Sequence, residues 1–519
     1  MVELDPWGSS SVEDYRRLFR EFGIEEFDSG DMEEPMDLMR RSIIFGQRDF
    51  DYISEAIENG DDFAALSGFM PSGRPHIGNM MVMRELIWMQ EMGAETYFLI
   101  ADLEAHSARD KTWEECREIS KDYILSMIAL GFEPETGYIY RQSENLELQD
   151  LAFELAEETN FNELRGIYGF DGETNIAHME SVLTQSADIL YPQIEEPKPT
   201  VIPVGADQDP HLRLTRSLAG RMRLFDVKRS YASFEIEDKN LDVIGELVEN
   251  LNQPTASNVR EELEKRISEG HEGQGEEDEG VTGQGEEDEG VTGQGSVEDT
   301  GNEEVTTDLY EEILDRLDSA GDEVLKRRVR VLSRGADEEA FKDMREKLES
   351  RFEVEIFDEH VDVYGSDMEA VDDVVREVEV DHGGYGFYPP SSIYHRFMTG
   401  LTGGKMSSSV PESHIALTDE PDDGYDKVMN SKTGGRETAE EQREKGGKPD
   451  ECPVYELYAY MLAEDDDHAE LVYDECAGGE RLCGGCKMEA ADLMEEFLEE
   501  HQQKREEAKE KVEDFGVEL

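Results

Sequence analysis

Two segments of the chain combine residue types that suit the binding of a phosphate. The first reads Gly68-Phe69-Met70-Pro71-Ser72-Gly73-Arg74-Pro75-His76-Ile77-Gly78-Asn79 and lies between a predicted strand and a predicted helix. Its glycines let backbone N–H groups and the positive end of the helix come close to a phosphate. His76 can then donate a hydrogen bond to the charge that develops when an α-phosphate is attacked. By itself, a histidine beside proline and glycine is more often structural.

The second segment is the run Gly403-Gly404-Lys405-Met406-Ser407-Ser408-Ser409. Lys405 supplies one positive charge, and the serine hydroxyls supply hydrogen-bond donors, which together suit a triphosphate. Polar loops of glycine, lysine and serine are common, so this segment alone is a weak indication.

The elements that must position these segments follow an α/β pattern. Phe63–Phe69 is a short apolar run that ends in turn residues and predicts a buried strand. Residues 79–92 are helical in character, and Thr96–Asp102 predicts the next strand. Strand, glycine-containing loop, helix and strand make a βαβ unit of a parallel sheet. A further strand at 200–204 and a helix at 209–219 extend the pattern.

Three regions flank or interrupt this pattern. Residues 1–60 are predicted to be a helical extension, and residues 416–519 are predicted to be helical because apolar residues recur there every three to four positions. Residues 225–385 look like an insertion with a small α/β part. Within it, 270–304 is a tandem repeat of glycine and acidic residues, which predicts a disordered linker.

The charge of the chain is strongly negative. Its 519 residues carry 127 Asp and Glu against 50 Lys and Arg, a net charge of −77. Such a balance normally argues against nucleic-acid partners. Here the acid is spread along the whole chain, which is typical of proteins adapted to molar salt, where the Debye length falls to ~3 Å. The alternative is one unusually acidic protein in ordinary cytosol.

No membrane or export signal is visible in the sequence. No run approaches the ~18 apolar residues of a membrane-spanning helix. Residues 1–5 lack the basic and apolar regions of a signal peptide. We therefore expect a cytoplasmic protein.

Together, the His76 and Lys405 segments resemble the two signatures of class I aminoacyl-tRNA synthetases. Other segments are similar to tryptophanyl-tRNA synthetases of the archaeal and eukaryotic type, namely Val204–Arg216, Thr433–Arg436, Glu441–Gly447 and Glu500–Gln502. The resemblance implies a Rossmann-like catalytic domain over 61–224 and 386–415, interrupted by the insertion. It also implies a helical anticodon-binding domain at 416–519.

The same resemblance implies a reaction and its site. The substrates would be ATP with Mg²⁺, L-tryptophan and tRNA(Trp), and the assembly would be a homodimer. The residues implied to bind ATP or act in catalysis are Met70, Pro71, Ser72, Gly73, His76, Ile77, Gly78, Asn79, Gly205, Asp207, Lys405, Met406, Ser407, Ser408 and Ser409. Those implied to bind tryptophan are Glu104, Gln185 and Gln208.

The sequence departs from the family pattern at a few positions. Asn79 replaces the usual second histidine of the first signature, and Ser408 replaces the second lysine of the loop. Leu66 and Leu99 align with a tyrosine and a glutamine that surround the indole nitrogen in eukaryotic members. An unpaired buried N–H costs about 1–3 kcal/mol, so another acceptor is required, and His106 is one candidate.

Four of the five cysteines cluster in the sequence. Cys116 stands alone and is expected to be a small buried hydrophobic residue. Cys452, Cys476, Cys483 and Cys486 have a spacing that suits Zn²⁺ or a 4Fe–4S cluster. This spacing resembles that of the iron–sulfur cluster in some bacterial tryptophanyl-tRNA synthetases. Four free thiols are the alternative.

Other functions remain open from the sequence. A tyrosyl-tRNA synthetase is the nearest, because residues 68–73 and 101–103 also resemble archaeal members of that family. A nucleotidyltransferase with the same first signature and a non-catalytic tRNA-binding paralogue are two more. A polyanionic tRNA would need local cations, for which the sequence offers Arg213, Arg216, Arg221, Arg223 and the pair at 504–505.

Overall fold

The computed structural model describes residues 22–30, 34–231, 327–404 and 410–519, together with the single residues 19, 32 and 406. The chain divides into two compact units, one made of Met1–Leu224 with Glu379–Leu519 and the other of Phe225–Val378. The predicted linker at 270–304 lies outside the described residues, as do Lys405 and the serines at 407–409.

The strands and helices are numbered in chain order. The strands are β1 (Glu25–Glu26), β2 (Ile44–Arg48), β3 (Ala64–Phe69), β4 (Glu95–Ile100), β5 (Gly137–Arg141), β6 (Thr200–Gly205), β7 (Phe225–Tyr231), β8 (Arg327–Ser333), β9 (Glu353–Ile356), β10 (His360–Tyr364) and β11 (Ser391–His395). The helices are α1 (Asp37–Arg40), α2 (Asp51–Asn59), α3 (Ile77–Glu91), α4 (Asp102–Ala108), α5 (Trp113–Ala129), α6 (Leu146–Glu157), α7 (Phe161–Tyr168), α8 (Ile176–Leu190), α9 (Asp209–Arg221), α10 (Glu338–Arg351), α11 (Met368–Asp381), α12 (Pro421–Asn430), α13 (Ala439–Lys445), α14 (Pro453–Leu457), α15 (Asp466–Gly478) and α16 (Cys483–Lys511).

The first unit is built on a seven-stranded sheet in the order β1-β2-β11-β6-β3-β4-β5. The five strands from β11 to β5 run parallel to one another, and β2 is antiparallel to β11. These parallel strands are almost wholly buried, as expected when helices cover both faces of a sheet. The predicted strand–helix–strand unit is confirmed as β3, α3 and β4.

The expectation of an entirely helical region at 1–60 is wrong in its described part. Ile44–Arg48 is a strand that pairs with β11 at one side of the sheet, and Glu25–Glu26 pairs with it in turn. The apolar run around Ile44 was compatible with a helix or a strand. Its pairing with β11, which comes almost 350 residues later in the sequence, decides the outcome.

The C-terminal part of the first unit is helical, as its periodicity predicts. The long helix α16 packs against α12, where a Cβ on Gly424 would lie only 2.2 Å from Leu498 Cδ1. The absence of a side chain at this position therefore sets the distance between the two helices. In the described part of the chain, no helix is both long and apolar enough to cross a membrane.

The second unit contains a four-stranded antiparallel sheet in the order β7-β8-β10-β9. Val329, Val331, Val361 and Val363 alternate with polar residues along β8 and β10 and are fully buried or nearly so. Helices α10 and α11 belong to the same stretch of chain, so the described part of residues 327–378 contains both strands and helices.

Candidate active site

The carboxyl ends of the parallel strands open into one cavity of about 350 Å³. Ligands bind at this edge in open α/β sheets, because the loops that leave the strands surround it. The predicted residues that line the cavity are Met70, Ser72, Gly73, His76, Asn79, Glu104, Gln185, Gly205 and Gln208. The first signature and the three residues predicted to bind tryptophan therefore face a single space.

Some predicted residues lie beside this cavity instead of lining it. Pro71 and Ile77 are buried in the protein core, where they support the turn. Asp207 has an oxygen 2.9 Å from the point where a Cβ on Gly205 would stand. The sulfur of Met406 lies 3.4 Å from the position that a Cβ on Gly78 would occupy. Met406 of the second signature therefore contacts the first turn of α3.

His76 is held at the start of α3 by a reciprocal pair of hydrogen bonds. Its Nδ1 accepts from the backbone N–H of Gly78 at 3.1 Å, and its own backbone N–H donates to Asn79 Oδ1 at 3.0 Å. Burial, with a smaller contribution from the nearby His414 ring, lowers the pKa of His76 to about 4. The ring is therefore neutral at physiological pH. Because Nδ1 is an acceptor, Nε2 carries the proton and is the donor that remains for a ligand.

A segment from the far end of the sequence supports this turn. Residues 414–418 run beside residues 74–77, with Ile77 N–H donating to Ile415 O at 3.1 Å and Leu417 N–H donating to Pro75 O at 2.8 Å. Arg74 forms an ion pair with Asp419 at 2.8 Å. The chain that follows the second signature is thus attached to the backbone of the first.

The end of the cavity predicted to hold the amino acid contains carboxylate and amide groups. Gln185 Nε2 donates to Gln208 Oε1 at 3.3 Å, so these two predicted residues support each other. Leu66 and Leu99 line the same space and give it an apolar wall. Gly68 makes room for this wall, since a Cβ there would lie 2.8 Å from Leu99 Cδ1.

Asp188 is a candidate site residue that the sequence pattern did not identify. It lies on α8 three positions after Gln185, lines the cavity and is only 1% exposed. Its Oδ1 accepts from Tyr140 OH at 2.9 Å, and its Oδ2 accepts from Gln142 Nε2 at 2.6 Å. Burial raises the pKa of Asp188 to about 8, although the bonds from Gln142 and Tyr140 lower it. Residues three positions apart lie on the same face of a helix, so the position of Gln185 on α8 could have identified Asp188 from the sequence.

His106 is not in the cavity, so its candidacy as the indole acceptor is corrected. Its ring is exposed and stacks on Trp113 with centroids 4.0 Å apart. Its Nδ1 lies 2.6 Å from Lys111 O. Asp188 is the carboxylate that faces the space beside Leu66 and Leu99.

A buried pair joins α3 to β11 at the cavity wall. His395 Nδ1 lies 3.1 Å from Glu85 Oε2, and Glu85 is completely buried while His395 is 4% exposed. His395 lines the cavity, so Glu85 fixes the orientation of a ring that faces the ligand space.

The profile of the family described as tRNA synthetases class I (W and Y) matches residues 58–236 and 358–499 of the chain. The chain belongs to this family. The predicted resemblance and the predicted Rossmann-like α/β fold are thereby confirmed, because the parallel sheet and the family profile agree.

Several relatives of this synthetase are similar over their whole lengths. It is 51% identical, over all of its own chain and 96% of the other, to a Halobacterium salinarum protein named tryptophan–tRNA ligase 1. It is 42% identical to the tryptophan–tRNA ligase of Methanosarcina acetivorans, with 99% of each chain covered. The crystal structure of tryptophanyl-tRNA synthetase from Aeropyrum pernix matches with a TM-score of 0.61 and 30% identity, covering 98% of this chain and 97% of that one. The Halobacterium relative agrees with the prediction of a halophilic protein.

The arginines that were expected to contact tRNA are paired within the synthetase itself. Arg213 binds Asp209, Arg216 binds Asp49, Arg221 binds Glu163 and Arg223 binds Glu379. Arg505 pairs with Asp122 at 2.5 Å. These cations are therefore largely neutralised by neighbouring carboxylates and hold elements of the fold together.

The four clustered cysteines line one small cavity of about 10 Å³, together with Arg481. Within the described ranges, no three or more His, Cys, Asp or Glu side chains are grouped so that they could hold a metal ion, so the predicted metal site is not supported. Burial raises the pKa of Cys476 to about 11 and that of Cys486 to about 12, so both thiols are protonated. Cys116 is fully buried, as expected.

Proposed function

We propose that this chain is a tryptophan–tRNA ligase, which activates L-tryptophan with ATP and transfers it to tRNA(Trp). The observation that carries the proposal is a cavity that is lined both by the His76 turn and by Glu104, Gln185 and Asp188. A nucleotide and an amino acid can meet there without a covalent enzyme intermediate. The names of the full-length relatives support the choice of tryptophan.

In the first step, an oxygen of the tryptophan carboxylate forms a bond to the α-phosphorus of ATP. The bond from that phosphorus to the bridging oxygen breaks, and pyrophosphate leaves. A terminal ribose hydroxyl of the tRNA then attacks the activated carbonyl and releases AMP. Mg²⁺ would be held chiefly by the phosphates and water, as it prefers.

The protein contributes by positioning the reactants and by stabilising charge. His76 Nε2–H would donate to an α-phosphate oxygen, whose negative charge grows in the transition state. Its neutral ring keeps this donor available without a proton being taken from solution. The fixed oxygen of Asn79 holds the His76 backbone, so the amide nitrogen is the part of Asn79 left for the nucleotide.

We propose that Asp188 accepts the indole N–H of tryptophan. Its two oxygens accept hydrogen bonds from Tyr140 OH and Gln142 Nε2, which fix the carboxylate. Each oxygen has a further lone pair that can accept the indole N–H. Glu104, Gln185 and Gln208 would hold the amino group and ribose, and the walls from Leu66 and Leu99 would pack against the indole rings.

The proposal is tested by amino-acid-dependent exchange between ATP and pyrophosphate in about 1 M KCl, where charges on the chain are screened. We expect exchange with tryptophan, followed by charging of tRNA(Trp). Exchange with tyrosine instead would identify a tyrosyl-tRNA synthetase. Exchange with neither amino acid would contradict the proposed function.

For the tRNA, we propose that the helical region at 416–519 binds the anticodon, in accordance with the resemblance of its motifs. Binding of tRNA(Trp) and of a transcript with an altered anticodon would be compared by filter binding. Equal affinity for both would contradict this assignment. We also propose that the protein acts in the cytoplasm, where uncharged tRNA is found.

We propose that the synthetase is a homodimer that pairs through the region of α6. Leu146 and Phe153 are 75% and 69% exposed and lie seven residues apart on α6, and Ile176 at the start of α8 is 79% exposed. Large apolar side chains on a highly charged surface are typical of an interface. Light scattering at about 1 M KCl should give twice the chain mass. Phe153→Glu should give monomers, and a monomeric wild type would contradict the proposal.

We propose that the four clustered thiols bind Zn²⁺ or a 4Fe–4S cluster as thiolates, so that their protons are released when the metal enters. Support comes from their convergence on one cavity and from the preference of these metals for sulfur. The test is metal analysis and absorption of anaerobically purified protein, with Cys483→Ser compared against Cys116→Ser. Wild-type protein without iron or zinc would contradict the proposal.

A further inference from the structure

Arg109 lies at the opening of the active-site cavity and carries a positive charge that pairs with no described carboxylate. Within the described ranges, two arginines line the cavity, Arg74 and Arg109. Arg74 forms an ion pair with Asp419 at 2.8 Å, whereas the guanidinium of Arg109 forms neither an ion pair nor a hydrogen bond with a residue that the structure describes. Arg109 is exposed and also lines the cavity, so its side chain stands where the cavity meets solvent.

This free charge distinguishes Arg109 from the arginines that the sequence suggested for tRNA. Those arginines are paired with carboxylates of the fold, namely Arg213, Arg216, Arg221, Arg223 and Arg505. The chain has 127 acidic residues against 50 basic ones, so carboxylates are abundant everywhere on it. An arginine that stays unpaired in the wall of the cavity is therefore available for an anion that comes from outside the protein.

The backbone that carries Arg109 is fixed on both sides. Arg109 ends α4, and its backbone N–H donates to Ala105 O at 3.1 Å. On the same helix, His106 Nδ1 lies 2.6 Å from Lys111 O, and the His106 ring stacks on Trp113 at the start of α5. His106 thus joins the two ends of the short segment between α4 and α5, which gives the base of the Arg109 side chain a defined position.

Arg109 lies beside two helices that carry residues of the candidate site. Glu104 lines the cavity from α4, and Gln185 lines it from α8, which packs against α4. In the first turn of α8, burial and then the charge of Arg109 lower the pKa of His178. The charge of Arg109 is therefore felt next to the part of the cavity proposed to hold the amino acid.

The second step of the proposed reaction brings an anion to this opening. The terminal ribose of the tRNA must reach the activated carbonyl inside the cavity, and its phosphate is joined to that ribose through C5′. This phosphate must therefore stop close to the opening. The planar fork of an arginine matches the geometry of a phosphate, which it can bind through two parallel hydrogen bonds.

We propose that Arg109 binds the phosphate of the terminal nucleotide of tRNA(Trp) and so holds its ribose near the activated tryptophan. This inference rests on the proposed function and deepens it. Arg109 stays protonated, forms no covalent bond and takes no part in the activation of tryptophan by ATP.

The test compares the two steps in Arg109→Gln and in a control variant, Arg117→Gln. Arg117 is also exposed, but it lies on α5 and does not line the cavity. In about 1 M KCl, where screening leaves mainly direct contacts, Arg109→Gln should lower kcat/KM for tRNA(Trp) by about tenfold, the loss expected for one charge-assisted contact. Exchange between ATP and pyrophosphate, which needs no tRNA, should stay within about twofold of wild type.

Two results of this comparison would overturn the inference. If exchange falls as much as charging of tRNA, Arg109 acts on ATP or tryptophan, or the variant is damaged as a whole. If charging falls no more than in Arg117→Gln, the charge at the opening contributes nothing specific.

Direct binding separates this inference from the proposed function. Filter binding would compare an intact tRNA(Trp) transcript with one that lacks the terminal nucleotide and hence its phosphate. Arg109→Gln should weaken binding of the intact transcript and leave that of the shortened one unchanged. If wild type shows no exchange with tryptophan, the proposed function fails, while this comparison still tests Arg109. Equal weakening for both transcripts, or for neither, overturns the inference.

Discussion

Replacing Asp188 tests how the synthetase distinguishes tryptophan from other amino acids. The carboxylate is 1% exposed and is fixed by Tyr140 at 2.9 Å and Gln142 at 2.6 Å. Asp188→Ala removes the proposed acceptor for the indole N–H. It also leaves Tyr140 and Gln142 without their partner, so its total effect on activity mixes two causes.

The magnitude follows from the charge that the acceptor carries above its pKa of about 8, so the assay is made at a pH above that value. A hydrogen bond to a charged group contributes about 1.5–3 kcal/mol, and each 1.4 kcal/mol is tenfold, so loss of this bond should cost about 10- to 150-fold in kcat/KM for tryptophan. The disturbance of Tyr140 and Gln142 adds to this loss. A single variant therefore cannot isolate the bond.

A substrate analogue isolates it. In the 3-benzothienyl analogue of L-alanine, sulfur replaces the indole N–H with little change of shape. Wild type should prefer tryptophan over this analogue by about 10- to 150-fold in ATP–pyrophosphate exchange. In Asp188→Ala the preference should fall to about threefold or less. The disturbance of Tyr140 and Gln142 affects both substrates, so it cancels when the two substrates are compared in each enzyme.

The result that would refute the reasoning is a preference that Asp188→Ala leaves unchanged. His106→Ala is the control, since His106 is exposed and stacks on Trp113 outside the cavity. It should keep the wild-type preference for tryptophan.

Three further outcomes are expected. Because the pKa of Asp188 is raised to about 8 and an N–H donor binds the ionised carboxylate better, kcat/KM for tryptophan should increase with pH around that value; a pH profile that is the same in Asp188→Asn would contradict this. Lys405→Ala should slow activation by about tenfold or more, and an unchanged kcat/KM for ATP would contradict the role of its charge. Phe515→Ala should lower the free energy of unfolding by about 1–3 kcal/mol, because Phe515 stacks on Phe132 at 5.7 Å; thermal unfolding at constant KCl measures this, and an unchanged Tm would be inconsistent with the stacking.

The net charge of −77 first suggested that a nucleic acid was an improbable partner. The structure explains part of that charge, because acidic residues such as Asp209, Glu163 and Asp122 neutralise arginines that hold the fold together. The net charge therefore indicates adaptation to a salt-rich solvent, and it is a poor guide to which ligands the chain binds.

The sequence by itself determined the local parts of this protein. A glycine-punctuated turn between β3 and α3, the buried strands and the helix at 209–221 depend on residues that are neighbours in the chain, so their patterns predict them. The two signatures around His76 and Lys405 indicated the family, because their residue types and order are visible in the sequence alone.

Only the tertiary structure decided which side chains meet. Ile44–Arg48 is a strand because it pairs with β11. Asp188 is a candidate site residue because α8 places it in the wall of the same cavity as Leu99 and Glu104. The sequence could not show that the arginines of α9 are paired with carboxylates inside the protein. Whether a cation is neutralised depends on which carboxylates the fold brings within about 4 Å, and those come from distant parts of the chain.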